Sequence, residues 1–231
     1  MAATGIGLRI WRIVKRVFLW LFIFHLVYIL YGRWCNPPIT FTQLGSAVGG
    51  HGLKRDYVKL KNISPSLRLA VIASEDQNFV DHEGIDWEAI EKAQEYNKTH
   101  KRKRGGSTIS QQTAKNFFLW QGRTKFRKFV EAYFTKMIEW TWNKRRILEA
   151  YLNIIEMGEG IFGAEAAAQH YFNKSAKDLN DKEAAMIAAC LPNPKVWTIS
   201  PMHPKIAQRY PRILRQMNNI RDDPDIQELL K

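Results

Sequence analysis

Cysteine is scarce in this chain: Cys35 and Cys190 are the only two in 231 residues. Two cysteines exclude a disulfide framework and a cysteine metal site. Cys35 lies just past an apolar run and Cys190 sits inside the apolar stretch 184–191, so both are expected to be unpaired and structural. The chain also lacks an internal repeat, a heptad pattern and any metal-ligand spacing, and its six histidines are scattered. Solenoids, coiled coils and zinc modules are thereby set aside. Acid is in deficit too: 22 Asp and Glu face 35 Lys and Arg, for a formal net charge of +13. Such an excess points to a polyanionic partner, whether nucleic acid, anionic lipid or a phosphorylated substrate, and charge alone does not choose among them. Apolar residues are not scarce. At 45% hydrophobic and 25% charged the profile is globular, and the length suits one domain plus extras.

The most informative stretch is Ser74-Glu75-Asp76-Gln77-Asn78-Phe79-Val80-Asp81-His82-Glu83-Gly84. It follows an apolar helical run, 67–73, and five of its eleven residues titrate. A run that should bury itself thus ends in groups that resist burial, and such conflicts mark functional sites. In an adjacent Glu-Asp pair, the carboxylate facing the protein is desolvated and its pKa rises, while the other stays ionised in water. The plain alternative is a solvated helix end without chemistry. For His82 a structural hydrogen bond is the expected role.

Residues 1–16 carry Arg9, Arg12, Lys15 and Arg16 and no acid, and Val17–Tyr31 follows as fifteen residues whose one strongly polar member is His25. A membrane span needs about 17–25 residues, and snorkelling by Arg16 and Arg33 with aromatic residues at both ends makes up the difference. No small-x-small cleavage site follows, so an uncleaved anchor is favoured over a signal peptide. The basic residues before it then stay in the cytoplasm and the rest of the chain lies outside. Residues 36–62, with Pro37, Pro38 and four glycines in 45–52, read as a linker with a small β element.

Ser64-Pro65 reads as an N-cap and first helical turn, opening a helix that ends at Glu75. A second helix is expected from Asp86 to Asn97. Lys98–Arg104 has five permanent cations in seven residues, most simply a solvated loop. Gly105-Gly106-Ser107-Thr108 then leads into a helix through Ile109-Ser110-Gln111-Gln112. A helix start with free N–H groups suits a phosphate, and Lys115, about two turns on, supplies a point charge. This is no Walker A loop, because no Lys-Ser/Thr follows a second spaced glycine. An ordinary cap explains the same residues.

Arg123–Trp142 reads as a long helix with Phe126, Phe129, Val130, Tyr133, Phe134, Met137 and Ile138 on a broad apolar face. Glu131, near Arg127 and Lys128, is either a surface ion pair worth about a few tenths of a kcal/mol or a second carboxylate held ionised among cations. Lys144–Ile155 resumes the helix, with Glu149 structural. Helices over Ala164–Tyr171 and Asp181–Cys190 and a last basic helix around Pro211–Arg221 complete the chain.

Five motifs in this order resemble glycosyltransferase family 51, the monofunctional biosynthetic peptidoglycan glycosyltransferases and the transglycosylase domain of class A penicillin-binding proteins. They are Glu75-Asp76 with Phe79, His82 and Gly84; Gly105–Gln112 with Lys115-Asn116; Arg127-Lys128 with Glu131; Lys144 with Ile147-Leu148-Glu149 and Tyr151-Leu152-Asn153; and Gly160 with Gly163, Ala167 and Tyr171-Phe172. The match covers roughly 63–200, and no serine-x-x-lysine transpeptidase module follows.

The resemblance implies a mainly α, lysozyme-like glycosyltransferase domain with a smaller mobile lobe, preceded by one transmembrane helix. The expected layout is a cytoplasmic basic tail at 1–16, an anchor at 17–34, a linker at 35–62 and the catalytic domain at 63–231. The implied activity is polymerisation of lipid II into β-1,4 glycan, with inversion and release of undecaprenyl diphosphate. Glu75 is implied as the general base and Glu131 as the second catalytic carboxylate, orienting cations or a metal. Asp76, Ser107, Thr108, Gln111, Gln112, Lys115, Asn116, Arg123, Arg127 and Lys128 are implied to bind diphosphate and sugar. Magnesium or manganese is the one candidate cofactor; no organic cofactor is expected. Expected partners are lipid II, the growing glycan chain, the membrane and other cell-wall synthesis or division proteins, with no nucleic acid. The expected location is the bacterial inner membrane, single-pass, with a periplasmic catalytic domain and 98–104 in a flexible flap. The aromatic run Phe117–Trp120 is a candidate to enter lipid, with ordinary core as the equal alternative. A glycan-cutting hydrolase and a non-enzymatic tethered basic protein are the rivals.

Overall fold

The computed structural model describes residues 2–100 and 105–231. The cationic segment 101–104, expected in a flap, lies outside the described residues. Two compact units are present, Met1–Cys35 and Asn36–Lys231. The first is one helix, α1 (Ala2–Gly32), whose segment Gly7–Gly32 is long and apolar enough to cross a membrane. At about 1.5 Å per residue, 26 residues span about 39 Å, enough for a bilayer core of about 30 Å with tilt. The helix begins well before the expected start at residue 17, because nothing in 2–16 breaks it.

The second unit is mostly helical. Its elements are α2 (Phe41–Val48), β1 (Lys54–Arg55), α3 (Pro65–Glu75), α4 (Trp87–Thr99), α5 (Ile109–Phe118), α6 (Lys125–Thr141), α7 (Lys144–Ile154), β2 (Glu156–Gly158), β3 (Ile161–Phe162), α8 (Ala164–Phe172), α9 (Asp181–Cys190), α10 (Pro204–Ile220) and α11 (Pro224–Leu230). Helix α3 is the axis. Leu67, Leu69, Ala70, Val71, Ile72 and Ala73 are all buried, with Arg68 among them, so the helix is enclosed on nearly every side. Helices α9 and α10 enclose it, and the alanines of α9 let the backbones approach closely. Ser64 caps α3 with Pro65 in its first turn, as the sequence predicts.

The stretch expected as a linker is ordered in part. Thr40 opens α2 with a reciprocal cap to Gln43, and Thr42 Oγ1 donates to Asn116 Oδ1 of α5 at 3.3 Å. The glycines of 45–52 outweighed this cap in the sequence reading. The small β element is present: β1 pairs parallel to β3, which pairs antiparallel to β2. Gly163 has φ +87, and a Cβ there would stand 2.5 Å from the Asn153 carbonyl oxygen.

Helix α10 starts seven residues before the expected Pro211 and runs through it. Proline suits a first turn, which invited that boundary, but His203 and Pro204 already provide the start. Buried Ile206, Ile213 and Met217 hold one face across the missing N–H. Helix α6 divides its aromatic residues differently from expectation. Ile138 is buried and Phe134 stacks on Phe118 with centroids 4.6 Å apart, whereas Phe126, Phe129, Tyr133 and Trp140 are exposed. Phe117 and Leu119 are core, and only Trp120 of that run is exposed. Neither cysteine is in a disulfide.

Candidate active site

The last turn of α3 delivers Glu75 and Asp76 in different directions. Asp76 is buried. Its Oδ2 accepts from the backbone N–H of Ile109, the first residue of α5, at 2.8 Å. His82 Nε2 lies 3.0 and 3.1 Å from its two oxygens. Because the Gly84 N–H donates to His82 Nδ1 at 3.0 Å, the ring proton is on Nε2 and is donated to Asp76. Asp76 thus ties the end of one helix to the positive end of another. His82 has the structural role read from the sequence.

Glu75 points elsewhere. Its surface is half-covered, yet protein atoms crowd it and burial raises its pKa. Opposing this are a hydrogen bond from Gln112 and the fields of Arg209 and Lys115, while Asp76 adds to the rise. Gln112 Nε2 donates to Glu75 Oε2 at 3.0 Å. The other end of that amide is held by fully buried Tyr151, whose hydroxyl donates to Gln112 Oε1 at 3.3 Å. Burial and the two nearby acids push the Tyr151 pKa well above its ordinary value, so it remains a neutral donor. A donor at Gln112 Oε1 leaves Nε2 as the end that faces Glu75. Tyr151 read as core from its apolar neighbours, and nothing local distinguished it from the packed face of α7.

Lys115 lies one turn beyond Gln112 on the same face of α5. It is half-buried, and its ammonium group makes no hydrogen bond or ion pair with the described residues. Burial lowers its pKa; Glu131 pulls it back up, Arg127 and Lys128 push it down, and Glu75 raises it again. Lys115 therefore feels both glutamates at once and stands electrostatically between them. Glu131 is buried inside α6, with Arg127 Nη1 2.6 Å from one oxygen and Lys128 Nζ on the other. Arg127 Nε also donates to the Gly122 carbonyl at 2.7 Å, and Lys128 Nζ to Ser107 Oγ at 3.3 Å. Three cations and one acid leave this nest with a positive excess. A cavity of about 240 Å³ opens beside it, lined by Ser107, Gln111 and Lys128 with Ile90 and Ala93 of α4.

The remaining candidates fall into two groups. Thr108 and Gln111 form a reciprocal cap on α5, and Thr108 Oγ1 donates to the Gly84 carbonyl at 2.6 Å. Asn116 is buried and bonded to the Gln112 carbonyl and Thr42. These three shape the site through its scaffold. Arg123 is exposed at the head of α6, without a contact to the nest. Arg209 of α10, packed over Trp197, reaches the field of Glu75 although 134 positions separate them in the chain. Lys144 Nζ donates to the His82 carbonyl at 2.6 Å and pairs with Glu139 at 2.9 Å, pinning the 76–84 turn. The donor set does not fit a divalent ion held by protein alone. Both Glu131 oxygens are committed to cations, both Asp76 oxygens to N–H donors, and no cluster of three metal-ligating side chains occurs among the described residues.

A carboxylate with a raised pKa at the end of α3 and a nest of excess positive charge on α5 and α6 suit group transfer with an anionic leaving group. The family model for transglycosylases matches residues 42–218, and the chain belongs to the transglycosylase family. It is similar to the biosynthetic peptidoglycan transglycosylase of Bdellovibrio bacteriovorus, 49% identical over 216 residues, which cover 91% of this chain and 86% of the relative. The corresponding Shewanella oneidensis protein is 44% identical over 220 residues, covering 90% and 94%. That of Rhodospirillum centenum is 51% identical over 194 residues, 83% of each chain.

Proposed function

We propose that this protein is a peptidoglycan glycosyltransferase that polymerises lipid II in cell-wall synthesis. The observation that carries the reading is one face of α5, where Gln112 donates to Glu75 at 3.0 Å and Lys115, one turn on, lies in the field of Glu131 with its Arg127 and Lys128. Glu75 takes the proton from the acceptor sugar's 4-hydroxyl as that oxygen attacks the donor's anomeric carbon. The new C–O bond forms on the face opposite the leaving group, so the centre inverts to a β-1,4 linkage. The bond to the diphosphate breaks, and undecaprenyl diphosphate departs with the electron pair. A base with a raised pKa is the stronger proton acceptor, provided it is ionised at working pH. Lys115, Arg127 and Lys128 stand where negative charge develops on the diphosphate, and being fixed beforehand they need no reorganisation. Glu131 keeps Arg127 and Lys128 in place. These cations do the work that a divalent ion otherwise does; any such ion would enter with the diphosphate.

The substrate is lipid-borne, and the surface suits a membrane. Phe126 and Phe129 of α6 are 69% and 74% exposed, and Phe41, Leu44 and Val48 form an exposed apolar row on α2. Aromatic residues beside lysines are at home in the interfacial layer. With Arg9, Arg12, Lys15 and Arg16 in the first half of α1, ahead of its apolar stretch 17–31, the N-terminus is cytoplasmic and the second unit lies on the outer face of the inner membrane. Glycan chain and other wall-synthesis proteins are the further partners of this reading.

The test is incubation of the full chain with lipid II. Glu75→Gln should lower the polymerisation rate about 10³-fold, within the range for a lost general base. Near wild-type polymer from that variant would end the assignment, and release of fragments from finished glycan without polymer from lipid II would favour a hydrolase.

A further inference from the structure

Beyond the residues already assigned, one enclosed acid joins several elements. Glu139 of α6 keeps only 8% of its side-chain surface exposed. Its Oε1 accepts from Ser110 Oγ in the first turn of α5, and from Lys144 Nζ at the start of α7 at 2.9 Å. The same ammonium group donates to the His82 carbonyl at 2.6 Å and lies 4.8 Å from the centroid of the buried Phe79 ring. His82 donates in turn to Asp76, and Asp76 accepts from the N–H of Ile109, the chain neighbour of Ser110. These bonds close a ring that runs from Asp76 through His82, Lys144, Glu139, Ser110 and Ile109 back to Asp76. The stem of Glu139 also underlies the turn. A Cβ on Gly84, whose φ is +87, would stand 2.7 Å from Glu139 Cγ and 2.8 Å from Thr135 Cγ2, so this glycine packs directly on α6.

We infer that Glu139 is a positioning residue of the proposed transfer: by accepting from Ser110 and Lys144 it closes the ring that sets α5 against the end of α3. The inference rests on the reading of Glu75 as the base. Glu75 adjoins Asp76, which is in the ring, and Gln112 and Lys115 rise from the helix whose first two residues are in it. With the ring closed, Gln112 Nε2 stands 3.0 Å from Glu75 Oε2. A carboxylate suits the junction. One oxygen takes both donors, its charge answers that of Lys144, and it faces the positive end of α5. Removing it opens the ring between α5 and α7 and leaves Lys144 without its counter-charge beside the turn it pins. Glu139 thus acts through Lys144 and Ser110 rather than on the reacting atoms.

The experiment follows lipid II polymerisation by the full chain in detergent micelles as a function of pH. Glu139→Leu, which removes the acceptor, should lower kcat about 10²-fold with KM for lipid II unchanged, the scale for a small displacement of reacting groups. Glu139→Gln keeps an acceptor oxygen and should restore most of that loss. In Glu139→Leu the acid limb of the kcat profile should move to higher pH, because loosening α5 weakens the Gln112 bond that lowers the Glu75 pKa. The double variant with Lys144→Met should be no worse than the more affected single variant, since both open one ring. Hydrogen exchange read by mass spectrometry tests the ring without substrate: 82–84 and 109–112 should exchange faster in Glu139→Leu while α9 keeps its protection. Failure of the ring is thereby told apart from failure of the proposed reaction. Ser110→Ala, which removes one donor, should give the same pH shift with about a tenfold fall in kcat, and decides the matter if Glu139→Leu does not fold. A folded Glu139→Leu with near wild-type kcat overturns the inference. So do effects that multiply in the double variant, or a loss of activity with neither the pH shift nor the change in exchange.

Discussion

Glu75 and Glu131 are the same residue type, both enclosed in the helical unit, yet their surroundings are opposite. Glu75 has one neutral donor in contact, the Gln112 amide, and its nearest positive charges act only through space. Glu131 has a guanidinium on one oxygen and an ammonium on the other. A carboxylate left without an ion pair in a crowded site is pushed toward taking a proton; one clamped by two cations serves as their counter-ion. The difference between them is therefore set by the neighbours, and each carboxylate can be disturbed separately.

The largest effect after loss of Glu75 should come from Lys115, which faces both ends. Lys115→Met should reduce the lipid II polymerisation rate by about 10²–10³, the scale for one preorganised charge donor, with the fold intact by circular dichroism. A fall of under threefold would break the link between the two ends. Next is Glu131→Gln. It leaves Arg127 buried beside Lys128 without their counter-charge, so stability should drop by about 3 kcal/mol along with activity, read by denaturant unfolding.

At the base end, Tyr151→Phe should cost about 1 kcal/mol of stability and move the acid limb of the pH–rate profile upward. Without Tyr151 the Gln112 amide is free to turn, and Glu75 loses the hydrogen bond that lowers its pKa. Loss of activity without a pH shift would give Tyr151 a packing role alone. The smallest effect is on stability. Because the folded state raises the Glu75 pKa, the folded protein takes up the proton more readily than the unfolded chain. Ionisation at neutral pH therefore weakens the fold. Glu75→Gln should melt above wild type at pH 7, and the gap should close as the pH falls below the ordinary carboxylate range.

Local signals carried much of this into the sequence. Ser64-Pro65 marks the start of α3, and the clash of an apolar run with Glu75-Asp76 marks the site. Lys115 was legible because it follows the glycine-rich start of α5 by about two turns. What escaped depends on distant partners. Arg209 and Tyr151 reach Glu75 from α10 and α7, and Thr42 holds α2 to α5 across 74 positions. The apolar face of α6 was visible as a periodicity, but periodicity does not say which aromatic residues a neighbouring helix covers. Glycines in 45–52 masked the cap at Thr40 for a related reason: the cap's value depends on a surface that only the folded chain supplies.

By itself the sequence determined the apolar segment fit to cross a membrane, the order and limits of most helices, and the family, because caps, periodicity and motif spacing act over a few residues at a time. Only the tertiary structure decided what surrounds each glutamate, which threonine and glutamines are scaffold, and which aromatic residues face outward. Those outcomes depend on burial and on charges several ångströms away in space, and both exist only once α3 is enclosed.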